Sequence, residues 1–144
     1  MAGMLQQVTQ KIIDLLSADS ELSGLKFYFG PPFTRNISSF IYVAWRGGPI
    51  EPEDTKHEVW RHRWDIVAVE IAQEDDIAEK MVTDRAERIS TVLKANRTLD
   101  GLVRDSRVVR MTGENVSVGV EWGKVSYVIA AARVTLLCEL VEAI

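Results

Sequence analysis

His57 and His62 are the only two imidazoles in the chain, and they sit in one run, His57-Glu58-Val59-Trp60-Arg61-His62. A zinc-protease helix needs its histidines four apart, so that both rings share a helical face. Here they are five apart, and on a strand an odd separation sends them to opposite faces. They cannot jointly hold a metal ion. The single cysteine, Cys138, lies among apolar residues, where a small buried thiol is expected rather than a reactive one. No G-x-S-x-G elbow occurs, and Gly47-Gly48 is followed by proline and by Glu51, Glu53 and Asp54, which would repel a phosphate. These three acids lack the alternating spacing of a calcium loop. No cofactor and no metal are expected. An enzyme would have to assemble its site from scattered residues, with His62 and Asp65 as the nearest candidates.

Arginine and tryptophan are the other residue types that invite a function. Arg61, Arg63, Arg104, Arg107 and Arg110, taken with Trp60 and Trp64, have the chemistry of a nucleic-acid surface, arginine for phosphate and aromatics for bases. Strand alternation separates Arg107 from Arg104 and Arg110, and 17 basic against 21 acidic side chains leave a net charge of −4. Both observations weigh against a dedicated nucleic-acid binder. The plainer expectation is that the tryptophans pack and the arginines meet acids on neighbouring strands or neighbouring chains.

These residues must be positioned by a small set of elements. At 100° per residue, Ala78, Met81, Val82, Ala86, Ile89, Val92 and Leu93 fall on one arc of a helix over Asp75 to Leu93, with Asp76, Lys80, Asp84, Glu87 and Arg88 on the other. Arg85 interrupts the apolar arc. It must reach an edge or meet an acid, which a neighbouring subunit would supply or the rim of the sheet would make unnecessary. A second, shorter helix is expected from Met4 to Ser17 on Leu5, Val8, Ile12, Leu15 and Leu16.

The strands are expected at Lys26 to Phe29, Phe40 to Arg46, His57 to Ala72, Ser106 to Met111, Val116 to Val118 and Val125 to Leu140. In the fourth decade, Gly30-Pro31-Pro32 opens a loop to Ser38. Within His57 to Ala72, Trp60, Trp64, Ile66 and Ala68 share one parity, opposed by Val59, Arg61, Arg63 and Asp65. In the last strand, Val128, Ala130, Ala132, Val134, Leu136, Cys138 and Leu140 form the face expected to receive the long helix. Gly47 to Lys56 reads as a solvated acidic loop about ten residues long between hairpin strands, and such length in a compact domain is often functional. The whole is an α+β fold in two layers: an antiparallel sheet, one long helix packed on it, and a short N-terminal helix.

At 144 residues, one domain over 1–144 with a real core is expected, and no repeat or linker argues otherwise. Met1-Ala2-Gly3-Met4 lacks a basic segment followed by an apolar run, which leads to the expectation of a reducing cytoplasm. Arg133, Glu139 and Glu142 interrupt the most apolar stretch, so no membrane span is expected.

The order of these elements resembles a family. A short amphipathic helix, a proline-broken segment, strands at Phe40 to Arg46 and His57 to Ala72 joined by a Gly-Pro-rich acidic loop, one long helix and closing strands look like the tail terminator or tail-completion (neck) proteins of tailed bacteriophages. The resemblance spans nearly the whole chain and rests on element order and length, not on a motif. It implies a virion structural protein, not an enzyme, assembled in the host cytoplasm and located at the tail or neck. Such subunits form a homo-oligomeric ring, typically six-fold, on the head-proximal end of the tail tube. The ring ends tube polymerisation and meets the head-completion or connector protein, with a sheath protein as a further partner in contractile tails. DNA passes through the bore without specific binding.

On this reading Trp45, Trp60 and Trp122, together with Glu51, Glu53, Asp54, Arg61, Arg63, Arg85 and Arg107, are the expected subunit or partner contacts. A small α+β binding module for RNA or a small ligand is the alternative, favoured if the tryptophans and arginines share one exposed surface.

Overall fold

The computed structural model describes residues 3–32, 39–72, 75–114, 120–122 and 125–143. Its elements are α1 (Met4–Ser17), β1 (Lys26–Phe29), β2 (Phe40–Gly47), β3 (Ile50–Pro52), β4 (His57–Ala72), α2 (Asp75–Lys94), β5 (Asp105–Glu114), β6 (Val120–Trp122) and β7 (Val125–Ala143). The fold is α+β. The expected strand at Val116 to Val118 falls outside the described residues, as does most of the proline-led loop after Pro32. β6 pairs with the start of β7 through Val120 opposite Tyr127.

The sheet runs β1-β2-β4-β7-β5, with β3 alongside β4 and β6 alongside β7. It is mixed, not wholly antiparallel: β1 pairs with β2 in parallel, Lys26 opposite Phe40. The remaining pairs are antiparallel. The ten or so residues that separate β1 from β2 give the chain room to cross over and return in the same direction, which a tight hairpin would not.

The spine is β4 against β7, in register from His57 opposite Ala143 to Ala72 opposite Val128. The alternation of side chains along both strands gives the sheet two unlike faces. On one, Trp64, Ile66 and Ala68 of β4, with Ala130, Ala132, Val134, Leu136, Cys138 and Leu140 of β7, join Ile41 and Val43 of β2 in a single core. α2 covers them with Ala78, Val82, Ala86, Ile89 and Leu93, and α1 adds Val8, Ile12, Ile13 and Leu16. Each fully buried Leu, Ile or Val on these stripes contributes about 1.5–3 kcal/mol by leaving water. Met81, expected on the buried arc of α2, is instead exposed. It lies at the margin of that arc, about 100° of helical rotation from Val82 at its centre. Trp64 is fully buried, and its indole N–H donates to Thr9 Oγ1 of α1 at 2.9 Å, tying the short helix to the spine.

The opposite face carries Phe40, Tyr42, Val67, Val69, Ile129 and Ala131 as a small second apolar cluster at one end. Arginines and acids occupy the other end.

Gly47 to Lys56 is not the open loop expected from its prolines and acids. Ile50, Glu51 and Pro52 pair with Trp60, Val59 and Glu58. The sixteen-residue β4 outruns β2, so its ladder would stay unpaired unless the chain folded back along it. Pro52 is tolerated because β3 is an edge strand, where a missing N–H faces outward. Only Glu53 to Lys56 remain as the turn, closed by the Glu53 N–H donating to the His57 carbonyl at 3.0 Å. The kink between β2 and β3 brings Gly48 so close to β4 that a Cβ there would lie 2.1 Å from the Arg61 carbonyl oxygen. Both partners are backbone, so neither can swing aside. Gly48→Ala should therefore cost at least about 3 kcal/mol, the upper end of ordinary overpacking. Chemical denaturation checks this, and a midpoint like that of the parent would mean β3 can lift off β4 freely.

Candidate functional site

Because β4 and β7 alternate strictly, the tryptophans and the arginines end on opposite sides of the sheet. Trp45, Trp60 and Trp64 lie toward the helices. Trp60 is half-buried over the core, not a free contact residue as expected, and its ring stacks on His62 with centroids 5.3 Å apart. Trp45 is 47% exposed at the sheet margin. The side chain of Trp122 lies outside those described. A shared tryptophan–arginine surface, which would favour the RNA or ligand module, is not formed.

His62 is buried, and its Nδ1 accepts a hydrogen bond from the Trp45 indole N–H at 3.0 Å. An indole nitrogen only donates, so Nδ1 is unprotonated and the ring is the neutral form with its proton on Nε2. Burial pushes its pKa down, with the Gly48 backbone working the other way. Neither His62 Nε2 nor Trp60 Nε1 has a hydrogen-bond partner among the described residues. The role left to His62 is to hold the Trp45 ring. Asp65, three residues on, faces the other side of the sheet, so the two do not form a site.

His57 and His62 likewise part, and His57 Nδ1 sits 3.0 Å from Asp54 Oδ1. Among the described residues no group of three potential metal ligands comes together. Cys138 is buried and its thiol is pushed up to about 12, far from a reactive thiolate.

The open face is an ion-pair lattice. Asp65 Oδ2 accepts from Arg46 Nε at 3.1 Å and lies 3.4 Å from Arg133 Nη1, while Asp65 Oδ1 accepts from Thr135 Oγ1 at 3.0 Å. Glu139 takes Arg104 and Arg61 together, and the two guanidinium groups hold its carboxyl below the usual range. Arg97 meets Asp105 at 2.8 Å.

The hairpin acids expected to reach a neighbour are engaged at home. Glu51 pairs with Arg61 at 2.8 Å, Glu53 with Arg104 at 2.6 Å, and Asp54 caps the turn through the Lys56 N–H at 2.7 Å and His57. The reason is the fold-back of β3, which carries these acids over the arginines of their own sheet. Arg85 is corrected in the same sense. It pairs with Glu70 of β4 and needs neither a rim nor a neighbouring subunit.

Arg63, Arg107 and Arg110 remain without an ion pair among the described residues. Their grouping was hidden in the sequence. A bulge between Val108 and Arg110 shifts the alternation, so Arg107 stands opposite Leu137 and Arg110 opposite Thr135, both on the open face. Arg63 also stands opposite Leu137, from the other side. Nothing in Arg107-Val108-Val109-Arg110 marks a bulge in advance.

Sequence reasoning also missed most of the exposed large hydrophobics. Besides Trp45, these include Phe29 and Ile50 on the same side of the sheet, Ile77 and Met81 on α2, and Val109 and Met111 on β5. They form three separate patches. No helix among the described residues is long and apolar enough to cross a membrane. Compared with known proteins, the chain matches no family and no curated sequence.

Proposed function

We propose that this chain is a virion structural subunit that forms a closed ring at the head-proximal end of a phage tail tube, ending tube growth and joining the tail to the head connector. It does so as a two-layer domain, with the helices on one face of the sheet and the other face and edges turned to neighbours. The observation that carries this reading is the three-way division of exposed apolar residues: Phe29, Trp45 and Ile50 at one margin, Ile77 and Met81 on the helix layer, Val109 and Met111 at the far edge. A ring subunit needs two unlike lateral surfaces, because a head-to-tail contact joins different patches of the same chain. A subunit that also sits between a tube and a connector needs a third, axial surface. Three small patches, each flanked by polar residues, suit that division better than one large patch suits a dimer.

The polar chemistry supports the same reading. The acids of the hairpin and of the open face are spent on pairing within the chain, which stiffens a scaffold and leaves no convergent catalytic group among the described residues. The test is to add the purified protein to growing tail tubes of its own phage. Tubes should stop at a defined length and become competent to join heads. Tubes that lengthen as if nothing had been added would overturn the proposal.

A further inference from the structure

The pairing along β4 leaves a notch on the open face. β2 ends with Gly47 opposite Arg63, and β3 begins with Ile50 opposite Trp60. Between them the edge of β4 is flanked only by the Gly48-Pro49 link, held by the Arg61 N–H donating to the Pro49 carbonyl at 3.1 Å. The register shift between Trp45 and Gly47 makes Arg46 the inserted residue, and its guanidinium reaches Asp65 on the open face. Arg61 and Arg63 share the parity of Asp65, and Leu137 stands opposite Arg63, so all of them face the same side. A cavity of about 440 Å³ lies there, lined by Arg46, Arg61 and Arg63, by Leu137 and by the chain from Gly47 to Pro49.

Three guanidinium groups line this cavity and no carboxylate does. The nearby acids are engaged outside it, Asp65 with Arg46, and Glu51 and Glu139 with Arg61. A guanidinium carries five N–H donors. Arg46 spends one on Asp65, Arg61 spends one each on Glu51 and Glu139, and Arg63 spends none among the described residues. Most of these donors remain for a ligand. The acids that follow Gly47-Gly48 in sequence are the groups expected to repel a phosphate, and the fold-back of β3 removes them. Glu51 is drawn to Arg61, Glu53 to Arg104, and Asp54 to the turn at Lys56 and His57. The side chains left beside the two glycines are cationic.

We infer that this cavity binds a phosphate group. A carboxylate has two oxygens, and a single guanidinium fork saturates them. Three guanidinium groups suit an anion with more oxygens and a second negative charge. Leu137 and the aliphatic stems of the arginines form the apolar part of the wall, which limits competition from water. A small phosphorylated molecule and the backbone of a nucleic acid present the same chemistry to such a site. The inference goes beyond the ring reading and does not depend on it.

Titration calorimetry of the full chain at constant ionic strength tests it. The ligands are inorganic phosphate and pyrophosphate, acetate as the two-oxygen control, and oligothymidylate for the nucleic-acid source. Phosphate and pyrophosphate should bind at one site per chain, and acetate about tenfold more weakly or worse. Arg63→Gln should weaken phosphate binding about tenfold or more, the loss of one charge-assisted contact, with melting unchanged because Arg63 is exposed. Arg110→Gln removes the same charge from the same face without touching the cavity, and should leave the affinity within about twofold.

Oligothymidylate that binds more tightly than phosphate and responds to Arg63→Gln upholds the site and makes a nucleic acid backbone its source. Binding of the small phosphates alone upholds it with a small molecule as the source. No binding of any phosphate ligand, acetate binding as tightly as phosphate, or an affinity that Arg63→Gln leaves unmoved would each overturn the site. Equal losses in Arg63→Gln and Arg110→Gln would overturn it as well, since they would mean a diffuse positive field and no cavity site.

Discussion

Ile89→Asp will abolish the cooperative fold. Ile89 is fully buried at the centre of the α2 stripe, in the same core as Val134 and Leu136 of β7 and Trp64 of β4. Its polar sequence neighbours, Arg88 and Ser90, are each turned about 100° from it on the helix. An unpaired carboxylate there must either ionise in a medium that cannot solvate it or stay protonated, and the lost isoleucine adds a cavity term. The combined cost, upward of about 5 kcal/mol, meets or exceeds the whole stability of an ordinary domain of about 5–15 kcal/mol. Circular dichroism and thermal melting read the outcome. A sigmoidal melt close to that of the parent would show that α2 does not seal the core.

Glu70→Ala comes next in size. Glu70 and Arg85 are paired with side chains 7% and 17% exposed, so removing the carboxylate strands a guanidinium against the sheet. Breaking a buried pair from one side costs about 3–5 kcal/mol, whereas replacing both partners by apolar residues of similar volume is often neutral or stabilising. Glu70→Leu with Arg85→Met should therefore recover most of the loss seen in Glu70→Ala, and a double-mutant cycle by denaturation measures the coupling. If Glu70→Ala costs less than about 1 kcal/mol, Arg85 has an escape to solvent that its position on the helix conceals. The pair also explains how an arginine comes to interrupt an apolar stripe. Its acid comes from Glu70, the next β4 position of core-facing parity beyond Ala68.

Much of this was legible from periodicity. The spacing of Leu5 to Leu16, of Ala78 to Leu93 and of the β7 alternation fixed which residues face the core, because a buried face leaves a period in the sequence whatever its partner turns out to be. What was not legible depended on pairing between distant segments. The parallel β1–β2 edge, the fold-back of Ile50 to Pro52 and the meeting of Glu70 with Arg85 are each decided by where another strand ends, and no local pattern encodes that.

The candidate surfaces show the same split. Glu51 and Glu53 look solvated in isolation because their arginines arrive from β4 and the turn before β5. Arg107 and Arg110 look divided because strict alternation assumes a regular strand, and one inserted residue reverses the parity of everything after it. Trp60 looks like a surface residue because Glu58, Arg61 and Arg63 surround it in sequence, although its partner, the buried ring of His62, lies only two residues away.

The placement of β7 has a consequence for how the protein is made. β7 is the neighbour of both β4 and β5, and it is synthesised after every other described element. Until it emerges from the ribosome, β4 lacks one side of its ladder and α2 lacks half of the surface it covers. Contacts between segments this far apart close late and leave apolar surface uncovered in the meantime. A chain cut off before Val125 has no central ladder, and so neither an ordered β5 nor a supported α2. Folding itself thus acts as an inspection step, since only a molecule translated through β7 acquires a closed core.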